Sequence, residues 1–211
     1  MDEKAKIFVG MPVYGSVPEL CFARFGQFLL KTQRDYKIYF HTITSTFLCT
    51  ARNNIAEAFL KNTDADYLLF LDQDMLIPMN LIELLKEHNK GIVSALYYGK
   101  NETPQLPTFM VKKDGEYKRV EKFPKNSLIK VDAIGLGACL IKREVMEKIS
   151  ETLGDEPFFK FSYPSRLKEI GEDIYFCELA KKAGYEIYVD TRFAVGHVGA
   201  VTTGDFENPR E

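Results

Sequence analysis

Two carboxylates one residue apart, Asp72 and Asp74, close a run of strand-favouring residues, Tyr67-Leu68-Leu69-Phe70-Leu71. In an extended chain alternate side chains share a face. That spacing therefore sets two hard oxygen donors side by side, able to hold Mg²⁺ or Mn²⁺ against a diphosphate. The apolar run reads as a buried strand, and open α/β sheets bind ligands at such strand ends. The plainer reading is a pair of solvated turn acids after a core strand. A second acid pair, Glu172-Asp173, follows Gly171 at a helix start, where carboxylates suit the free amides and the helix dipole in any case. His197 stands in Val195-Gly196-His197-Val198-Gly199 rather than on an apolar face, unlike His41 and His88, which read as structural.

The elements that must position these groups follow from periodicity. Lys6 to Met11 reads as a first strand, ended by Pro12-Val13-Tyr14-Gly15, a loop over which a ligand can sit. From Pro18 to Lys31, Leu20, Cys21, Phe25, Phe28 and Leu29 recur near helical spacing, and Tyr36 to Thr42 alternates as a strand does. Ala51, Ile55, Ala58 and Phe59 form the apolar stripe of a second helix capped by Thr50, with Arg52, Asn53, Asn54 and Glu57 turned elsewhere. A strand from Asp66 to Leu71, a helix from Asn80 to His88 and a strand from Ile92 to Leu96 continue the alternation. This implies a largely parallel sheet covered by helices.

Beyond Tyr97 the pattern loosens into a Pro-containing loop to Pro107, a hairpin about Asp114-Gly115 and a strand pair through Val131 to Ile141. A helix from Gly171 turns Phe176, Leu179, Ala180 and Ala183 inward and stops at Gly184, a strand from Tyr185 to Val189 follows, and Val195 opens a flexible tail. Tyr97 and Tyr98 follow a strand end, where aromatic faces stack on sugar rings or simply pack. Pro157-Phe158-Phe159-Lys160-Phe161 reads first as core packing and second as a groove or lid.

At 211 residues, 45 % hydrophobic and 27 % charged, the chain fits one α/β domain, 1–211, with a full core. A net charge of −2 gives no general electrostatic case for nucleic acid or an anionic membrane. The local cluster Lys112, Lys113, Lys118, Arg119, Lys122 and Lys125 reads as a solvated hairpin surface. Cys21, Cys49, Cys139 and Cys177 are too scattered for a zinc knuckle or a disulfide framework and read as buried thiols in a reducing compartment. With no apolar signal core and no run long enough to span a bilayer, the expectation is a cytoplasmic protein.

Taken in order, the landmarks are Pro12-Val13-Tyr14 at a strand end, Ala51-Arg52-Asn53-Asn54 at a helix start, Asp72-Gln73-Asp74, Gly135-Leu136-Gly137-Ala138, Gly171-Glu172-Asp173 and Gly196-His197. This order resembles the GT-A glycosyltransferases, in particular the inverting family 2 type, from about Ile7 to Gly199. The resemblance implies a GT-A fold, a mixed, mostly parallel central sheet flanked by helices, with 1–98 as the nucleotide-sugar half and 99–211 as the acceptor and catalytic half. It implies a nucleotide-sugar donor, UDP-sugar foremost, near Pro12, Val13, Tyr14 and Arg52, with Asp72 and Gln73 also facing it. Mn²⁺ or Mg²⁺ would be held by Asp72, Asp74 and His197. Asp173 would be the base that takes the acceptor proton during an inverting displacement, with Glu172 binding the acceptor or exchanging roles. Gly135, Gly137 and Ala138 would keep a turn small enough for sugar and acceptor to approach the backbone.

The chain departs from the processive synthases of that family, having no Gln-x-x-Arg-Trp segment and no Trp, which favours a single transfer. Its short C-terminal tail favours a large acceptor or a site completed by another subunit. The acceptor hydroxyl is left open among lipid, glycan, protein and nucleic acid, with the basic hairpin leaning toward an anionic one. A sugar-phosphate nucleotidyltransferase would carry a Gly-rich basic loop after the first strand, which Gly10-Met11-Pro12-Val13-Tyr14-Gly15 does not supply. A haloacid-dehalogenase-type phosphatase would place its first Asp near the N-terminus with a Thr following. A binding module that lost turnover is the non-enzymatic alternative.

Overall fold

The computed structural model describes residues 4–100, 104–165 and 168–199. In chain order the elements are β1 (Lys6–Val13), α1 (Glu19–Thr32), β2 (Lys37–Thr44), α2 (Leu48–Asn62), β3 (Tyr67–Leu71), β4 (Met75–Leu76), α3 (Leu81–Lys86) and β5 (Ile92–Leu96). They continue with β6 (Met110–Lys113), β7 (Glu116–Arg119), β8 (Leu128–Val131), β9 (Ala138–Lys142), α4 (Arg143–Leu153), β10 (Ser162–Ser165), β11 (Lys168–Ile170), α5 (Glu172–Lys182), β12 (Ile187–Ala194) and β13 (Gly196–His197).

Seven strands form the central sheet in the order β2-β1-β3-β9-β5-β12-β8. β1 is parallel to β2 and β3, and β12 is parallel to β5. β9 runs antiparallel between β3 and β5, and β8 antiparallel at the far edge. The strand pair expected through Val131 to Ile141 is therefore two strands that never touch. Val131 ends an edge strand, whereas Ala138–Lys142 is the central one.

Alternation on the strands explains the layering. Leu68 and Phe70 point into one core with Ile55 and Phe59 of α2, Met146 and Ile149 of α4 and Phe176 of α5. Leu69 and Leu71 point into the other with Phe25 and Phe28 of α1 and Leu81 and Leu85 of α3. The Asp114-Gly115 hairpin forms as expected, with φ of 52° and 78°, a pair of left-handed residues that closes a two-residue turn with the right twist.

Two helix readings change. Thr50 does not cap α2, which begins at Leu48, two residues earlier, because Ser45 Oγ accepts the Phe47 N–H (3.1 Å) and turns the chain before it. α4 has no counterpart among the expected elements, although Val145, Met146 and Ile149 bury one face at helical spacing. Nor is the region after Val195 a free tail, since Gly196–His197 pairs antiparallel with Met75–Leu76; the continuation from 200 to 211 lies outside the described residues. Cys21, Cys139 and Cys177 are buried, Cys49 is half-buried, and none is paired. Among the described residues no helix is long and apolar enough to cross a membrane.

Candidate active site

The acids after β3 sit on a turn rather than an extended face. Met75 N–H donates to the Asp72 carbonyl (3.2 Å), while Asp72 N–H donates to Gly137 O (2.8 Å) at the start of β9. The turn sends the two carboxylates to different cations. Asp72 accepts from Arg52 Nη2 at 3.1 and 3.3 Å. Asp74 pairs through Oδ2 with Lys100 and lies with Oδ1 3.5 Å from His197 Nε2. Among the described residues no three His, Cys, Asp or Glu side chains converge tightly enough to hold a metal ion. Of the expected trio, Asp74 and His197 adjoin, and Arg52 holds Asp72 apart.

The short β4–β13 ribbon brings the histidine there, reinforced by Val198 N–H donating to Asp74 O (2.9 Å). His197 Nδ1 lies 2.9 Å from the Tyr98 carbonyl. A carbonyl only accepts, so Nδ1 carries a hydrogen, and Nε2 is the nitrogen turned toward Asp74. With Nδ1 so engaged, Nε2 is the nitrogen by which the imidazole could share a cation with the Asp74 carboxylate. Burial alone would raise the Asp74 carboxyl, but hydrogen bonding by His197 and Lys100 outweighs it and holds the group below its ordinary value.

The second acid pair opens α5 and is organised by one buried cation. Arg52, read from the sequence as turned away from the core, is 1 % exposed and lies against the Phe70 ring at 5.4 Å. It does not pair with Glu57, which is taken by Lys61. Its Nε stands 3.7 Å from Glu172 and 3.8 Å from Asp173, and neither Nε nor Nη1 has a hydrogen-bond partner among the described residues. Burial works against its charge, yet Asp72, Asp173 and Glu172 together raise its pKa.

Asp173 is the more open acid, with 28 % of its side chain exposed against 9 % for Glu172, although its Oδ1 is enclosed and unbonded. Burial, only partly offset by Arg52 and reinforced by Glu172 and Asp72, pushes the Asp173 carboxyl up to about 8. A carboxyl of that strength can take or hold a proton near neutrality.

Tyr97, a buried residue, also lines the space that the acid pairs face. Its hydroxyl accepts the Gly137 N–H (3.0 Å), and its ring meets His197 edge-on at 5.6 Å. A Cβ on Gly135 would lie 2.1 Å from that hydroxyl, and one on Gly137 would lie 2.3 Å from Met75 Cε. The glycines thus make room for Tyr97 and Met75, and Gly135 also lines the cavity. Gln73 faces its own chain. Its Oε1 accepts the Tyr14 N–H (2.7 Å), and its Nε2 donates to the carbonyls of Tyr14 (2.8 Å) and Ser16 (3.2 Å). The amide therefore clamps the loop after β1, leaving the Tyr14 ring 72 % exposed.

One cavity of about 790 Å³ is lined by Pro12, Val13, Tyr14, Arg52, Asp72, Gln73, Asp74, Glu172, Asp173 and His197, every candidate residue taken from the sequence. Lys100 and Arg119 line it too, and sequence reasoning missed both. For Lys100 the signal was its place just past the end of β5, where open sheets bind ligands. Arg119 belongs to the basic cluster read as solvated surface, and only the fold of the β6–β7 hairpin shows that it reaches the cavity.

Comparison with solved structures gives the fold an independent reading. A crystal structure of A197 from STIV aligns with a TM-score of 0.57 at 24 % identity, covering 92 % of this chain and 86 % of that one. A mutant of the Drosophila β-1,4-galactosyltransferase 7, solved with manganese, UDP-Gal and xylobiose, aligns with a TM-score of 0.52 at 12 % identity, covering 92 % and 71 %. The fold is GT-A-like. No family model matches the sequence, and no curated protein matches it either. Within the GT-A-like sheet the cavity lies beyond the C-terminal ends of β1, β3 and β5, where Pro12 to Tyr14, Asp72 to Asp74 and Tyr97 to Lys100 follow or close their strands.

Proposed function

We propose that the protein is a metal-assisted glycosyltransferase that moves a sugar from a nucleotide-diphosphate donor, UDP-sugar foremost, to an acceptor hydroxyl with inversion. The observation that carries the reading is one cavity lined both by the Asp74–His197 pair and by the high-pKa Asp173. The donor lies along Pro12, Val13, Tyr14 and the Gln73-clamped loop. Asp74 and His197 suit a hard divalent ion such as Mn²⁺ or Mg²⁺ by donor chemistry, with the diphosphate to complete its coordination and Asp72, held by Arg52, able to join only if it turns from that arginine. Such an ion, when bound, neutralises charge on the departing diphosphate.

Asp173 is the base, because it is the more exposed of the two acids that line the cavity. As the acceptor oxygen bonds to the anomeric carbon and the bond from that carbon to the diphosphate oxygen breaks, the hydroxyl proton passes to the Asp173 carboxylate. Glu172, more buried and beside Arg52, anchors the guanidinium. Calorimetric titration of UDP, GDP and CDP, with and without Mn²⁺, on wild type and Asp74→Ala tests the reading. It requires metal-dependent binding of one nucleotide that Asp74→Ala abolishes, followed by release of that nucleotide from its sugar conjugate. No nucleotide binding under either condition overturns it.

A further inference from the structure

Asp74 already has a cation. Its side chain is 15 % exposed, with Oδ1 turned to His197 and Oδ2 paired with Lys100 Nζ, which is 30 % exposed. Lys100 sits on the connection that leaves β5. Backbone bonds fix that connection on both sides of the lysine stem: Gly99 N–H donates to Leu106 O (3.0 Å), and Thr108 N–H donates to Tyr97 O (3.0 Å). The ammonium is thus held on a short tether at the wall of the same cavity that Asp72, Asp74 and His197 line.

An ammonium in contact with Oδ2 and a divalent ion on the same carboxylate exclude one another by charge. Like charges on one partly buried carboxylate repel far more strongly than they do in bulk water, so the two cations compete for it. If the ion takes Asp74, Lys100 must leave, and a displaced ammonium needs another anion. The cavity's own remaining acids are engaged, Asp72 with Arg52 by hydrogen bonds, and Glu172 and Asp173 with Arg52 across 3.7 and 3.8 Å. An incoming diphosphate supplies the missing anion and suits a flexible point-charge donor.

We propose that Lys100 is a tethered counter-cation of Asp74 that exchanges onto the donor diphosphate when the divalent ion binds, so that metal and nucleotide bind cooperatively. The inference rests on the donor-site reading above and adds to it a positioning residue and an order of events. Metal alone meets a carboxylate already neutralised; metal arriving with nucleotide meets one whose lysine has somewhere to go.

The test is Mn²⁺ binding followed by electron paramagnetic resonance of the free ion, alone and with saturating UDP, on wild type, Lys100→Met and Lys100→Gln, with circular dichroism melts to confirm folding. The expected result is at least a tenfold tightening of Mn²⁺ binding without nucleotide in both variants, together with a loss of most of the UDP-induced tightening seen in wild type. Equal Mn²⁺ affinity in wild type and variants without nucleotide, with UDP·Mn²⁺ binding intact, overturns the exchange and leaves the donor site standing. Failure of all three proteins to bind Mn²⁺ or UDP overturns the donor site itself, and the exchange with it.

Discussion

The two acid pairs of the cavity are neutralised in opposite ways. Asp72 and Asp74 are split by a turn, so that Asp72 leans on the same Arg52 that serves the second pair, whereas Asp74 is paired with a part-exposed lysine and stands beside His197. Glu172 and Asp173 are adjacent on one helical turn and share a single buried arginine that cannot move without opening the core. The contrast teaches what each end is suited to. Replaceable cations mark a place to receive a charged ligand, whereas one fixed cation too few for its carboxylates leaves a proton in play.

Four changes break or sharpen that contrast. Asp173→Asn is expected to cut turnover about 10²–10⁴-fold while leaving UDP·Mn²⁺ binding in place, as single-turnover kinetics and calorimetry will read. The same variant has a signature in stability. The native Asp173 holds its proton from its ordinary value of 3.8 up to about 8, whereas the unfolded chain releases it at the lower value. Its contribution is therefore fully present below pH 3.8 and is lost as pH rises toward 8, and denaturant melts of Asp173→Asn should lack that decline.

Arg52→Met removes the shared cation and strands the buried acids, an expected loss of about 3–5 kcal/mol in urea unfolding. Gly135→Ala drives a methyl into the Tyr97 hydroxyl at the cavity wall. The expected cost is about 1–3 kcal/mol, part of which Tyr97→Phe in the same chain recovers. The smallest effect is that of Gln73→Ala, which frees the loop after β1 and should weaken UDP by about 1 kcal/mol, roughly fivefold in Kd, with little change in Mn²⁺ affinity.

The first half of the fold was legible because each strand and helix there carries its own period. Lys6 to Met11, Ile92 to Leu96 and the stripe Ala51, Ile55, Ala58 and Phe59 all form the elements that their patterns announce. What the pattern does not carry is long-range choice. Nothing local says that Ala138–Lys142 enters between β3 and β5, because that depends on edges formed some 40 to 70 residues earlier. α4 is different, since its apolar spacing and the Gly154 that follows are local signals, legible in the sequence without any long-range contact.

At the site, residue types were more legible than their partners. The ten residues singled out from the sequence line one cavity, but an arginine on a helix reads as a solvent-facing charge. Only carboxylates from two other parts of the chain allow Arg52 to be buried. Likewise the alternation argument set Asp72 and Asp74 on one face, and the turn at 72–75 overrides it by redirecting each carboxylate to its own cation.

The two-residue ribbon between Met75–Leu76 and Gly196–His197 also bears on how the protein is made. The histidine can reach the turn only after the roughly 120 residues between them have been made. Because β9 enters between β3 and β5, the sheet around Asp74 also waits for residues 138–142, and its imidazole partner comes later still. The Asp74–His197 pairing is thus assembled after the sheet that carries it, and a chain cut before Gly196 would keep the turn without its imidazole.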